Sequence, residues 1–220
     1  EGVAAAVLIG YHARAHSRGI LAHTINSFAF ARVALNGREF GEAGLNAALA
    51  GEYGVPVAAA SGDDMFVAET SVDLAGTHFI ETKRATGCNS GISLSPERAC
   101  AAICAGVTAA LRGPLPAPFR ITGPIRAEIR TQTPALADLF CLWPAVQRLS
   151  GDDIGFDADS VENAVRMINS LKAIAQVGWI AITWTMFFLA CALVLGKPFP
   201  GWITPVGLAG GVAVILFMTP

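Results

Sequence analysis

The sequence predicts an α/β fold: a mostly parallel or mixed sheet flanked by helices, with a hydrophobic helical hairpin appended at the carboxyl end. Three observations carry that expectation. Short, continuous apolar runs such as residues 3–9 and 55–60 have the pattern of strands buried on both faces. Alanine- and leucine-rich stretches with capping residues alternate with such runs as far as Ala175, as in an α/β domain. Beyond that point the chain holds no acidic side chain and one lysine, Lys197.

The elements come in this order. Residues 4–9 form the first strand, ended by Gly10, which leaves His12 just past a strand's carboxyl end, where ligand sites of open α/β sheets gather. Residues 28–35 form a second strand, closed by the Asn36-Gly37 turn, and Arg38-Glu39-Phe40 starts its return. Glu42 falls near the start of a helix over 43–53 that Gly54 stops. Residues 55–60 are the next buried strand, after which Asp63 or Asp64 caps a short helix over 65–70.

Residues 78–83 read as strand and 87–91 as a flexible loop. Ser95-Pro96-Glu97 opens a long helix to Leu111, with serine as cap and proline in its first turn. A proline-rich linker covers 114–118 and a strand covers 119–130. Helix over 134–142, short strands within 146–156 and an amphipathic helix over 160–175, capped by Asp159 or Ser160, complete the domain. No internal repeat is visible.

The division expected is an α/β domain over 1–172 and a transmembrane hairpin over 173–220, with spans at about 177–195 and 203–218. Tryptophans near the ends of these uncharged runs suit a membrane interface. The alternative is a buried helical pair used in oligomer packing.

Composition narrows the function classes. A net charge of −2 gives no electrostatic footprint for nucleic acid. Hydrophobic content of 53% with 15% charged residues is high, and the excess lies in the tail. Five cysteines, odd in number and without a CxxC pair, argue against a disulfide scaffold and for a reducing compartment. Cys100 and Cys104 stand four apart on a helix and can share a metal, although free cysteine usually acts as a small hydrophobe. The chain opens at Glu1, almost directly on a strand and without a secretory signal, and reads as a piece of something longer.

The first fifty residues hold the candidate chemistry. His12, His23 and Glu42 sit among glycines in a segment of low charge, and histidine and glutamate are the residue types that bind borderline metals such as zinc. Each also has an ordinary explanation: a hydrogen-bonded loop histidine, or a glutamate favoured by a helix N-terminus. Asp63 and Asp64 invite a metal reading too, which a capped turn explains equally well. His16 is expected to face solvent, and His78 has no motif around it.

The strings Gly10-Tyr11-His12-Ala13, Leu21-Ala22-His23-Thr24, Asn36-Gly37, Gly41-Glu42-Ala43-Gly44 and Gly54-Val55-Pro56-Val57 resemble the M55 peptidases, zinc-dependent D-aminopeptidases. Ser61-Gly62-Asp63-Asp64, Glu81-Thr82-Lys83, Ser93-Leu94-Ser95-Pro96-Glu97, Ala135-Leu136-Ala137-Asp138 and Pro144-Ala145-Val146 continue the likeness in the same order, over about 1–172. The resemblance implies that His12 and Glu42 are metal ligands, with Glu39 a neighbouring candidate for the carboxylate. It implies that His23 is the catalytic histidine beside the metal. Lys83 then contacts substrate or a neighbouring subunit, although Gly87-Cys88-Asn89-Ser90-Gly91 departs from the family's loop after it.

The same resemblance implies metal-assisted hydrolysis of short peptides with an N-terminal D-residue, D-Ala-D-Ala being the type, at two zinc ions in a ring-like homo-oligomer. The location expected is cytoplasmic, with a membrane anchor in the tail. The family's Asp-x-Glu-Gly string and a further histidine have no counterpart here, so the chain by itself is expected to be inactive or a weak single-metal binder. The rival expectation is a membrane-tethered, non-catalytic scaffold that keeps the fold.

Overall fold

The protein, seen in a computed structural model, is described over residues 2–195. Its elements run β1 (Ala6–Tyr11), β2 (Phe30–Leu35), β3 (Arg38–Glu39), α1 (Glu42–Glu52), β4 (Val57–Asp63), α2 (Asp64–Thr70) and β5 (His78–Gly87). They continue with β6 (Ser90–Ser93), α3 (Pro96–Arg112), β7 (Ile125–Thr131), α4 (Pro134–Phe140), β8 (Gln147–Arg148), β9 (Asp153–Ala158) and α5 (Val161–Leu195).

The strands form two sheets where the sequence suggests one. In the first, ordered β1-β4-β5-β6, β1, β4 and β5 are parallel and β6 returns antiparallel to β5. The second, ordered β3-β2-β7-β9-β8, is antiparallel throughout. Burial records the difference. Every residue of β4 is buried, as in a strand covered on both faces, whereas β7 buries alternate residues, as a one-sided antiparallel strand does.

Helix α1 lies between the two cores. Its Ala43 and Ala47 pack with Leu8, Val57, Ala60 and Phe66. Its Leu45 and Ala48 pack with Phe30, Val33, Ile129 and Phe156 of the antiparallel sheet. Gly51 is required near its end, because a Cβ there would overlap the backbone carbonyl of Phe119. The carboxylate of Glu52 accepts from the Val161 and Glu162 amides, 2.8 Å each, and so caps α5.

Three expected boundaries move. The strand expected over 119–130 begins only at Ile125, because Gly123 takes positive φ and Pro124 has no amide to donate. Residues 87–91 are the turn of the β5–β6 hairpin instead of a free loop. Helix α5 runs unbroken through the expected joint near 176, so residues 177–195 continue a helix that begins amphipathic. No helix among the described residues is long and apolar enough to cross a membrane. The expected hairpin therefore has no support in its first arm, and its second arm, 203–218, lies outside the described residues.

Candidate metal centre

Strand β1 carries a bulge near its end. Leu8 pairs with Ala60 and Tyr11 with Gly62, so β1 spends one more residue than β4 over that stretch. Gly10 takes φ 75°, and its amide donates to the Ser61 hydroxyl at 3.0 Å. The bulge re-aims the strand, and His12 leaves it as the first residue beyond the carboxyl end. Glu42 opens α1 from the other side, with Gly41 in extended conformation before it and no side-chain cap.

Between His12 and β2 the chain has no regular secondary structure, and specific contacts pin it. The Ile20 amide donates to Asp63 Oδ2 at 2.6 Å, the Leu21 amide to the Cys88 carbonyl at 2.7 Å, and the His23 amide to the Ala13 carbonyl at 3.2 Å. The Ala15 amide donates to the buried Thr24 hydroxyl at 3.0 Å. Leu21 sits at φ 53°, a conformation that costs a non-glycine residue about 1–2 kcal/mol. In that conformation its carbonyl accepts from His23 Nδ1 at 2.7 Å.

These pins bring the three expected residues together. His12 Nε2 lies 3.2 Å from Glu42 Oε2. The rings of His12 and His23 stack with centroids 4.1 Å apart and 21° between planes. One donor atom from each of His12, His23 and Glu42 lies within 4.8 Å of the others. Among the described residues no further His, Cys, Asp or Glu joins that group.

Hydrogen bonding sets the tautomers. Each ring places Nδ1 against a backbone carbonyl, Ala13 at 3.0 Å for His12 and Leu21 at 2.7 Å for His23. A carbonyl accepts only, so Nδ1 carries the hydrogen in both rings and each neutral imidazole keeps its lone pair on Nε2. Backbone carbonyls play this orienting part behind many metal-bound histidines.

The His12–Glu42 pair then demands a cation. A neutral His12 would present a lone pair to a carboxylate at 3.2 Å, acceptor against acceptor. Without an ion the proton fills the role: the hydrogen bond that His12 Nε2–H donates to the Glu42 carboxylate raises the His12 pKa against the opposing effect of burial, and the same bond lowers that of Glu42. A zinc ion satisfies the same demand. Two donors on one tetrahedral zinc, with bonds near 2.0–2.1 Å, stand about 3.3 Å apart, close to the separation seen.

The other candidates fall elsewhere. Glu39 pairs with Arg14 at 3.1 Å and stays out of the centre. Asp63 is an anchor: besides Ile20 it accepts from the Phe66 amide at 2.7 Å and caps α2. Asp64 accepts from the Ala85 amide at 2.8 Å. His16 and His78 are exposed, and Lys83 pairs in register with Asp63 at the end of the sheet. Cys100 and Cys104 are exposed free thiols, and no metal-binding group of three among the described residues includes them. Sequence reasoning misses the Ala13 carbonyl, which serves both histidines, and Leu21. Only the adjacency of Ala13 to His12 hints at either.

Known proteins agree with this architecture. A solved structure described as a Zn-dependent D-aminopeptidase DppA from Bacillus subtilis, a self-compartmentalizing protease, superposes with a TM-score of 0.74 at 24% identity. The likeness covers 79% of this chain and 65% of that one, so it speaks for the fold. No curated protein sequence matches. The sequence model of the M55 peptidases, described as D-aminopeptidase, matches residues 1–170, and the chain belongs to that family.

Proposed function

We propose that this chain carries part of the centre of a metal-dependent aminopeptidase for short peptides with an N-terminal D-residue, of the D-Ala-D-Ala type. His12 and Glu42 hold a zinc ion and His23 works beside it. The observation that carries the reading is the acceptor-to-acceptor approach of His12 Nε2 and Glu42 Oε2, which only a cation relieves. A zinc ion bound there would supply Lewis acidity for a water and for the scissile carbonyl.

The chain's own groups do the rest. His12 presents Nε2 because Ala13 holds its Nδ1 hydrogen. His23, held the same way by Leu21, keeps Nε2 free to take a proton from a water or to return one to the leaving amine. Its stacking on His12 fixes the distance between proton carrier and metal ligand. Three donors fall short of a dinuclear centre, and a catalytic zinc normally has three protein ligands before water. The chain alone therefore binds one ion and turns over poorly, while the whole catalyst has two zinc ions and assembles as a homo-oligomer. No described helix is long and apolar enough to cross a membrane, so the membrane-tethered scaffold gains nothing from the fold.

The test is zinc content with D-Ala-D-Ala and L-Ala-L-Ala hydrolysis, on the wild-type chain and on His12→Ala and Glu42→Ala. About one zinc per chain, lost in both variants, supports the centre. A wild-type chain that takes up no zinc at neutral pH defeats it.

A further inference from the structure

Among the described residues, helix α3 is covered on one side only. Its sole fully buried residue is Gly106, which lies against Ile80 of β5. By helical periodicity Cys100, Cys104, Thr108 and Leu111 lie on the face turned away from Gly106, and all four are exposed, Leu111 by 54%. From residue 99 to residue 111 the helix has no charged side chain. Its charges stand at the ends: Glu97 and Arg98 in the first turn and Arg112 in the last, all exposed.

That arrangement selects one partner. Two copies of α3 packed antiparallel about a two-fold axis between residues 104 and 105 place Glu97 of each copy opposite Arg112 of the other. The neutral stretches then face each other, and a two-fold contact requires such self-complementarity. The small side chains Ala101, Cys104, Ala105 and Thr108 at the centre let the axes approach to about 8 Å, the near end of helix packing distances. A parallel pair would set Glu97 beside Glu97 and Arg112 beside Arg112.

We infer that the outer face of α3 is a self-association surface that takes the α3 of a second copy of this chain, antiparallel, with Cys104 at the crossing. This deepens the homo-oligomer part of the proposed function and is independent of its metal and peptide chemistry.

The cysteines supply the test. Cys88, Cys100 and Cys104 are all exposed, so a mild oxidant reaches each of them. In the antiparallel pair the two Cys104 residues are offset along the axis by about 1.5 Å and the two Cys100 residues by about 13.5 Å. Only the former fall within disulfide reach, a Cα separation of about 4.4–6.8 Å.

The full chain is oxidised, its cross-links are mapped by mass spectrometry, and its association is measured by sedimentation. The expected result is a dimer joined Cys104 to Cys104. Thr108→Glu, on an exposed position, dissociates it. Glu97→Arg weakens association roughly tenfold, and adding Arg112→Glu restores it, because the charges are again opposite. An oligomer with cross-links spread over the three thiols, or one indifferent to these variants, overturns the α3 contact and leaves the homo-oligomer reading standing. A chain monomeric at every concentration overturns both.

Discussion

Replacing Glu42 with glutamine removes the charge but keeps the shape, and its effect on the metal-free protein can be worked from one distance. At 3.2 Å the protonated His12 and ionised Glu42 attract by about 1.3 kcal/mol in a water-like dielectric and about 5 kcal/mol at an effective dielectric of 20. Both side chains are partly open to solvent, 22% and 30% exposed, so the lower end applies, about 1–2 kcal/mol.

The pH dependence has two edges. His12 has a raised pKa, so its share is complete below the ordinary histidine value of 6.5 and fades as pH rises through the folded-state value. Glu42 has a lowered pKa, so its share is complete above the ordinary 4.5 and fades as pH falls through the folded-state value. Both contributions are whole only between those limits, near pH 5.5. The assay is urea unfolding of wild type, His12→Ala, Glu42→Gln and the double variant in chelator, at pH 5.5 and pH 8.5. Coupling of about 1–2 kcal/mol at the lower pH and close to zero at the higher is the expectation. Equal coupling at both would refute the cation-demanding pair.

Asp63→Asn replaces a carboxylate that accepts from both Ile20 and Phe66, so one amide loses its acceptor. The cost should be about 1–3 kcal/mol by thermal unfolding, with weaker protection of the Ile20 and His23 amides from hydrogen exchange. Gly51→Ala forces a methyl into the Phe119 carbonyl and should destabilise by about 3 kcal/mol or more, measured by denaturant midpoint. Zinc uptake at pH 6 should release about one proton, the one that His12 holds toward Glu42, read by calorimetry in buffers of different ionisation enthalpy. At pH 9 the release should shrink.

Most helices are legible in the sequence because their ends are written in local chemistry. Ser95-Pro96 opens α3, with the Ser95 hydroxyl accepting from the Arg98 amide, and Asp63 caps α2. His12 can be placed because apolar runs end where β1 ends, and Glu42 because it comes after glycine at the start of an alanine-rich helix. The second sheet is not legible. It depends on β2 meeting β7, a pairing of Leu35 with Ala127 that no local pattern announces. The pinning of the His23 loop is hidden for the same reason: Asp63 reaches Ile20 across 43 residues, and Leu21 takes positive φ without a glycine to mark it. The extent of α5 is hidden because a change in hydropathy looks like a change of element, while nothing in the backbone stops the helix there.

The three residues meet because their supports differ. His12 is an extension of the parallel sheet, and Glu42 belongs to a helix seated between both cores. His23 rides on a segment pinned to the end of β4 through Asp63 and to the β5–β6 turn through Cys88. A side chain that shifts α1 therefore moves Glu42 relative to His12 without touching either. The pair itself is held in a geometry that two neutral or anionic acceptors would not keep. On the proposed reading, proton and metal compete for the same place between Nε2 and Oε2, so a pH near 5.5 withdraws the site from zinc while keeping the ion pair whole. Alkaline pH does the reverse: it clears the site for metal and removes the ion pair that stabilises the empty protein.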